Sequence, residues 1–161
     1  MKKNIAAAIE EEIQAEEIQT EEIQTEEFQV PAFGYELIRE VLLNDILGKD
    51  SNQILYWAGK QLARKFPLNG DQEVIEFFQS AGWGNLEIMK FTKNQMELSL
   101  SGEIISRRMD LHPDCHFQLE AGFLAEQFTL QKKFLSESTE EIKRRAKKVI
   151  FTIQWDPRDQ I

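Results

Sequence analysis

Apolar residues recur every three or four positions in three segments between residues 33 and 81, the spacing of one face of a helix. The segments are residues 33–47, 51–66 and 71–81. Their repeating apolar residues are Tyr35, Ile38, Val41, Leu42 and Ile46, then Ile54, Ala58, Leu62 and Phe66, then Val74, Phe77, Phe78 and Ala81. The pattern predicts three helices with these residues in the core. The short connection after Gly48 makes the first two an antiparallel pair.

The period changes to two after the third helix, as in half-buried strands. Residues 86–91 and 96–101 predict a hairpin. Residues 103–109 fit neither period, and the pair Arg107 and Arg108 indicates a turn at the surface.

The segment 114–130 predicts a helix that is apolar around most of its circumference, with Pro113 suited to a first helical position. Its apolar and small residues are Cys115, Phe117, Leu119, Ala121, Gly122, Phe123, Leu124 and Phe128. A helix of this kind should be central and covered on several sides.

The end of the chain predicts further strands. Residues 134–135 start one, and the strict alternation over residues 149–155 gives a last one. Between them, Ser138 and Glu141 match a capping box, which predicts a short helix over residues 139–147. The whole order is that of an α+β domain with an antiparallel sheet and helices packed on one side.

Residues 1–30 form an acidic repeat in which the pentad Glu-Glu-Ile-Gln-Ala/Thr recurs. Its apolar residues are five positions apart, so they form no stripe on a helix and alternate between the faces of a strand. We expect a solvated tail, disordered or partly helical, or a tether or weak docking segment. Residues 31–157 are predicted to form a single globular domain.

The charge is unevenly distributed. Of the 161 residues, 19 are basic and 28 acidic, but residues 1–29 alone hold nine glutamates and two lysines, a balance of −7. The nearly neutral remainder argues against nucleic-acid binding, which needs a basic surface. No apolar stretch is long enough to span a membrane. One cysteine and no export signal favour a cytoplasmic protein.

Four stretches resemble the YslB family of small bacterial proteins. They are FGYELIR (residues 33–39), LYWAGK (55–60), AGWG (81–84) and FTIQWD (151–156). A further stretch, from Cys-His-Phe at residue 115 to Gly-Phe-Leu-Ala at residue 122, is similar to a wider superfamily. That superfamily includes vinyl-reductase-type domains and the transport subunits of the TRAPP tethering complex.

The resemblance implies a TRAPP-subunit-like ligand-binding fold, a homodimer formed through helices 33–47 and 51–66, and an apolar pocket beside the cysteine-bearing helix. Some vinyl-reductase-type domains bind zinc through several cysteines. This chain has a single cysteine, so no metal site carries over.

Cys115 is the principal candidate for a site. In the first turn of helix 114–130 the macrodipole would lower its pKa, whereas Asp114 would oppose that. The functional hypothesis is a thiol at the mouth of an apolar pocket that contacts or covalently carries an acyl-like small molecule. The alternative is a small buried hydrophobe.

Four other residues bear on this pocket. Gly122 leaves room either for a ligand or for close helix packing, and Trp57, Leu119 and Phe123 either contact a ligand or form plain core. The ligand-binding residues predicted from the sequence are therefore Cys115, Leu119, Gly122, Phe123 and Trp57.

His112, Asp114, Cys115 and His116 are metal-capable but too close in sequence to converge on one ion. No complete catalytic constellation is legible, so we expect neither metal, cofactor nor enzymatic activity.

The segment 143–148 carries five basic residues. We expect a solvated helix face paired with Glu140 and Glu141, and the alternatives are a nucleic-acid or anionic-membrane patch and a partner for the acidic tail. We expect a non-enzymatic protein that binds a small apolar ligand or has a regulatory role. The alternative is a protein–protein adaptor that acts through the helical pair 33–66 without a ligand.

Overall fold

A four-stranded antiparallel sheet organises the computed structural model, which describes residues 28–161. Its strands are β1 (Asn85–Phe91), β2 (Gln95–Ser101), β3 (Phe134–Lys143) and β4 (Lys148–Gln160), in the order β1-β2-β4-β3. Of the predicted acidic tail, residues 1–30, all but the last three residues lie outside the described residues, so the expectations for its repeat do too.

The helices precede and interrupt the sheet. Helix α1 runs through an α-helical segment Ala32–Glu36, a π-helical segment Leu37–Leu42 and an α-helical segment Leu43–Leu47. The others are α2 (Ser51–Lys65), α3 (Asp71–Ser80), α4 (Glu103–Leu111) and α5 (Gln118–Lys132). The predicted α+β class with an antiparallel sheet is confirmed, and residues 32–161 form one compact unit.

Helix α5 is the centre of this unit, as its composition predicted. Ten consecutive residues, Glu120 to Thr129, are buried, because α2 covers one side of the helix and β3 another. At the crossing with α2, a Cβ on Gly122 would lie 1.9 Å from the Tyr56 carbonyl oxygen, and one on Gly59 2.1 Å from the Leu119 carbonyl oxygen. Two glycines therefore let the helix backbones touch.

The predicted start of this central helix at residue 114 is wrong. Helix α5 begins at Gln118, so Cys115 lies in the preceding loop and not in a first helical turn. Side chains bind the peptide groups of that loop. The Phe117 N–H donates to Glu140 Oε2 at 2.6 Å, and Arg108 Nη2 donates to the His116 carbonyl oxygen at 2.9 Å.

The predicted helix over residues 139–147 is also wrong, because these residues form the end of β3 and a tight turn into β4. Lys143 is opposite Lys148 in the register. The expected helical pairs of Glu140 and Glu141 with basic residues four positions on therefore do not form. The inward positions of β3 include Ser136 and Ser138, both buried. Small polar residues at inward positions remove the apolar alternation that marks a strand.

Helix α1 presents the opposite face to the one predicted. Its apolar residues point outward, and those more than a third exposed are Phe33, Leu37, Ile38, Val41, Leu42 and Ile46. Its buried residues are Glu36, Arg39 and Glu40. A helical stripe cannot show whether it packs on its own domain or on another chain, because both surfaces need the same spacing.

Helix α2 also buries a different face from the one predicted. The predicted core residue Ile54 is exposed, and the buried positions include Ser51, Leu55, Gly59 and Ala63. Within residues 28–161, no helix combines the length and apolar character needed to cross a bilayer.

Candidate functional site

The inward face of α1 is charged because its π-helical segment changes the phase of the helix. Leu43 N–H donates to the Ile38 carbonyl oxygen, five residues back instead of four. Each such turn holds an extra residue, and π segments are frequent at functional sites. Here Arg39 and Glu40 both point into the domain and are buried.

These side chains join a buried ion network with α4 and α5. Arg39 Nη2 lies 2.7 Å from Glu120 Oε2, and Arg108 Nη1 lies 3.3 Å from Glu120 Oε1. Arg108 Nε donates to Glu40 Oε1. The network holds two positive and two negative side chains, so it is neutral as a unit. Removing one member would leave an uncompensated buried charge.

Arg108 is the centre of the network. The predicted surface turn at this residue is wrong, because it lies in α4 and is 1% exposed. Its guanidinium carbon is 4.2 Å from the centre of the Phe117 ring. Arg108 thus connects α1, α5 and the loop that carries Cys115.

The arginines keep the buried carboxylate ionised. Burial alone would raise the pKa of Glu120, but the charges of Arg39 and Arg108 outweigh that cost and lower it. The pKa of Arg108 is raised: burial opposes its charge, but Glu120 and the other neighbouring acids more than compensate.

A cavity of about 470 Å³ opens beside this network. It lies between α1, the amino-terminal end of α2 and the loop before α5. Its walls include Glu40, Asn44, Ser51, His112, Cys115 and His116. The volume falls in the range of small-molecule sites, but these walls are more polar than those of most such sites.

Cys115 lines this cavity and is itself mostly buried. Burial raises the pKa of its thiol, and nearby Arg108 offsets this only in part. The thiol is therefore neutral at physiological pH and a weak nucleophile.

Two imidazoles in the same wall have polar atoms without hydrogen-bond partners. These buried atoms are His112 Nε2 and His116 Nδ1. Burial, reinforced by the charge of Arg39, lowers the pKa of His116, so the ring is neutral at pH 7. The hydroxyl of Tyr35 is also buried and unpartnered.

The other predicted ligand-binding residues lie elsewhere. Gly122 and Leu119 are at the crossing of α5 with α2. The ring of Phe123 stacks on Phe77 with centroids 4.6 Å apart. Trp57 is on the outer face of α2, with Lys60 Nζ 5.1 Å from its ring centroid. The structure therefore brings Cys115 together with His112 and His116, and not with these four residues.

The outward face of α1 and α2 is a second notable surface. We define the apolar helix face as Phe33, Leu37, Ile38, Val41, Leu42, Ile46, Ile54 and Trp57. These side chains are 42–68% exposed. Six of the eight lie on α1 alone, and exposed apolar side chains that cluster on a domain surface commonly mark interaction sites.

No group of three or more histidine, cysteine, aspartate or glutamate residues within residues 28–161 is arranged to hold a metal ion. His112, Asp114, Cys115 and His116 lie side by side in the cavity wall without forming such a group.

Residues 32–154 match the family model described as "Protein of unknown function (DUF2507)". The chain belongs to this family. It is 49% identical over 127 residues to "Uncharacterized protein YslB" of Bacillus subtilis (strain 168). The aligned region covers 79% of this chain and 86% of that protein. The resemblance to the YslB family is confirmed.

The fold of this YslB-family chain is also found in a solved structure. A vinyl-4-reductase family protein from Methanocaldococcus jannaschii superposes with a TM-score of 0.62. The match covers 86% of this chain and 90% of that one, at 20% sequence identity. At this identity the likeness establishes the fold alone, and the predicted vinyl-reductase-like fold is confirmed.

The ion network was not found from the sequence, although one signal was present. Glu120 lies among apolar residues in the helix that composition marks as fully covered. A carboxylate in such a helix needs a buried cation. The sequence does not show which of its 19 basic residues supplies that cation.

Proposed function

We propose that this YslB-family protein is a non-enzymatic binding module that forms a homodimer through the apolar helix face. The observation that carries the proposal is the inverted polarity of α1, whose charged residues face the domain while its apolar residues face outward. A face of this kind is stable in water when another apolar surface covers it.

A second copy of the chain is the occupant that best fits the apolar helix face. The face as defined consists of uncharged side chains, so two copies related by a twofold axis bring no like charges together. Burying a fully exposed Leu, Ile or Phe contributes about 1.5–3 kcal/mol, and these side chains, which are 42–68% exposed, gain about half of that. Several such side chains per copy suffice to offset the entropy lost on association.

The chemistry of the interior supports a role without catalysis. The charged groups of the ion network already neutralise one another, and burial raises the pKa of the Cys115 thiol. A nucleophile normally has a lowered pKa or an adjacent base.

Mutation of the apolar helix face tests the homodimer. The variant Ile38→Glu places a charge in its middle, and Met89→Glu on β1 is a matched control because Met89 is also an exposed apolar residue. In analytical ultracentrifugation, wild type and Met89→Glu should be dimers and Ile38→Glu a folded monomer. A wild-type protein that is monomeric at every concentration would reject the proposal.

The small-molecule role expected from the sequence is the second candidate, and the cavity beside Cys115 supports it. It predicts that protein purified from cells carries an apolar or acyl compound. Native and denaturing mass spectrometry of wild type and Cys115→Ala measure this directly. Added mass that survives denaturation and disappears in the variant supports an acyl ligand. Unmodified mass under both conditions counts against it.

A further inference from the structure

Helix α1 adds nothing to the hydrophobic core of the domain. The apolar residues of α1, all of which the structure describes, are exposed or half-buried, and none of them packs in or against the core cluster. The other four helices each bury apolar side chains in that cluster, among them Ala63, Val74, Ile105 and Phe123. An element with few buried apolar contacts has low local stability and opens before the rest of the fold.

Ion pairs attach the inward face of α1 instead. The two pairs that α1 contributes to the ion network are joined by a third, in which Arg107 of α4 donates to the carboxylate of Glu36. When a buried ion pair separates, both charges return to water, and their hydration offsets much of the lost attraction. Separating α1 from the domain therefore uncovers mainly charged groups.

The closed position of α1 also leaves one polar group without a partner. The hydroxyl of Tyr35 is buried in this position and makes no hydrogen bond. Burying a hydroxyl without a partner is unfavourable, because the group loses its hydrogen bonds to water. Tyr35 thus favours a position of α1 in which water reaches its hydroxyl.

The carboxyl end of α1 has the features of a hinge. Gly48 has a φ of 63° and a ψ of −146°, and an added Cβ would meet nothing within 4 Å. Residues 48–50 form a single exposed turn before α2. Short segments of this kind absorb the backbone changes of hinged elements. Rotation about residues 48–50 would leave α2 packed against α5.

The cavity beside Cys115 is walled in part by α1, through Glu40, Asn44 and Gly48. Cys115 lines the same cavity and is 4% exposed. We propose that α1 is a strap, which separates from the domain while the rest of the fold stays intact and thereby exposes Cys115. The position of α1 then determines when the thiol can react. The proposal does not depend on the homodimer, because it rests on the inward face of α1.

Two measurements on the full chain test the strap. Hydrogen–deuterium exchange followed by mass spectrometry compares the amides of α1 with those of α5. Alkylation by iodoacetamide reports on Cys115 alone, since the chain has a single cysteine. The amides of α1 should exchange at least about tenfold faster than those of α5. The protection of Cys115, which is its alkylation rate in the unfolded chain divided by that in the folded chain, should match the protection of α1.

The variant Glu36→Gln links the two measurements. It removes the ion pair with Arg107, whose guanidinium is half exposed and stays hydrated. Exchange of α1 and alkylation of Cys115 should both become about two- to fivefold faster, by the same factor, while exchange of α5 is unchanged. The control is Asp156→Asn, which removes an exposed ion pair with Arg158 near the end of β4 and should change neither rate.

Three outcomes would overturn the strap. Equal protection of α1 and α5 would show that α1 opens only when the whole domain unfolds. An alkylation rate that is unchanged in Glu36→Gln would show that the thiol is reached without movement of α1. An equal increase in Asp156→Asn would show a general effect of charge.

The strap and the homodimer can fail separately. Glu36 is not part of the apolar helix face, so Glu36→Gln leaves that face intact. Wild type and variants are compared at one protein concentration, and ultracentrifugation gives the oligomeric state of each. A monomeric wild type would reject the homodimer and leave the strap standing, whereas a dimer in which α1 is as protected as α5 would reject the strap alone.

Discussion

Glu120 illustrates how a single buried charge connects distant parts of the chain. It is fully buried in α5, and it holds Arg39 of α1 and Arg108 of α4 in one network. A buried pair adds little net stability compared with a well-packed apolar replacement, but breaking it is costly. Its contribution here is to fix how α1 lies against the domain.

The variant Glu120→Gln should lower the free energy of unfolding by about 3–5 kcal/mol, because it leaves two buried guanidinium groups facing a neutral amide. Urea denaturation measures the loss. Glu141→Gln is the control, since its ion pair with Lys143 is exposed and exposed pairs contribute little. Equal midpoints for both variants would contradict a structural role for the network.

His116 should make stability depend on pH. Burial and then Arg39 lower its pKa below the ordinary 6.5. The unfolded chain therefore binds a proton at a higher pH than the folded one. Stability from the neutral ring is complete above about pH 6.5 and is lost as the pH falls through the folded pKa.

This dependence can be separated from that of the groups around the ring, which are Arg39, Arg108, Glu40 and Glu120. The free energies of unfolding of wild type and His116→Asn are compared at about pH 7 and pH 5.5. The wild type should lose more stability between the two values. Parallel changes in both proteins would show that His116 is not the titrating group.

At the scale of elements, the spacing of apolar residues predicted where the helices lie along the chain. It did not predict which side of each helix packs against the domain. The pattern of α1 gave its bounds within a residue or two, yet Ile38 and Leu42 are exposed. Strand β3 was missed in part because inward Ser136 and Ser138 interrupt its alternation. The spacing of apolar residues shows only that one face of an element avoids water. It does not show which surface covers that face.

The crossing of α2 and α5 gives an element-scale prediction. Gly122→Ala should destabilise the protein by about 1–3 kcal/mol or more, because the added Cβ would lie 1.9 Å from the Tyr56 carbonyl oxygen. Gly34→Ala is the matched change in α1, where a Cβ meets nothing within 4 Å. It should stabilise α1 by about 0.5–1 kcal/mol. The midpoints of thermal unfolding of both variants measure these effects. A midpoint that does not fall in Gly122→Ala would show that the helix crossing accommodates the added Cβ.

At the scale of the whole molecule, the sequence predicted more of the fold than of the site. The alternation in β2 and β4 and the apolar helix α5 are local patterns, and they led to the α+β class that the structure has. The cavity around Cys115 depends on contacts between residues far apart in sequence. One example is the contact of Glu40 with Arg108, 68 residues away, and no local pattern encodes such a pairing.

Dimer formation should couple the apolar helix face to the stability of the whole molecule. If a folded copy binds a second folded copy and unfolded chains do not associate, mass action raises the midpoint of thermal unfolding with protein concentration. We expect this rise for the wild type and for Met89→Glu. For Ile38→Glu we expect a midpoint that is constant across the same concentrations, because the added charge would have to be buried without a partner. A concentration-independent wild-type midpoint would mean that the apolar helix face does not pair with a second copy, and it would reject the homodimer.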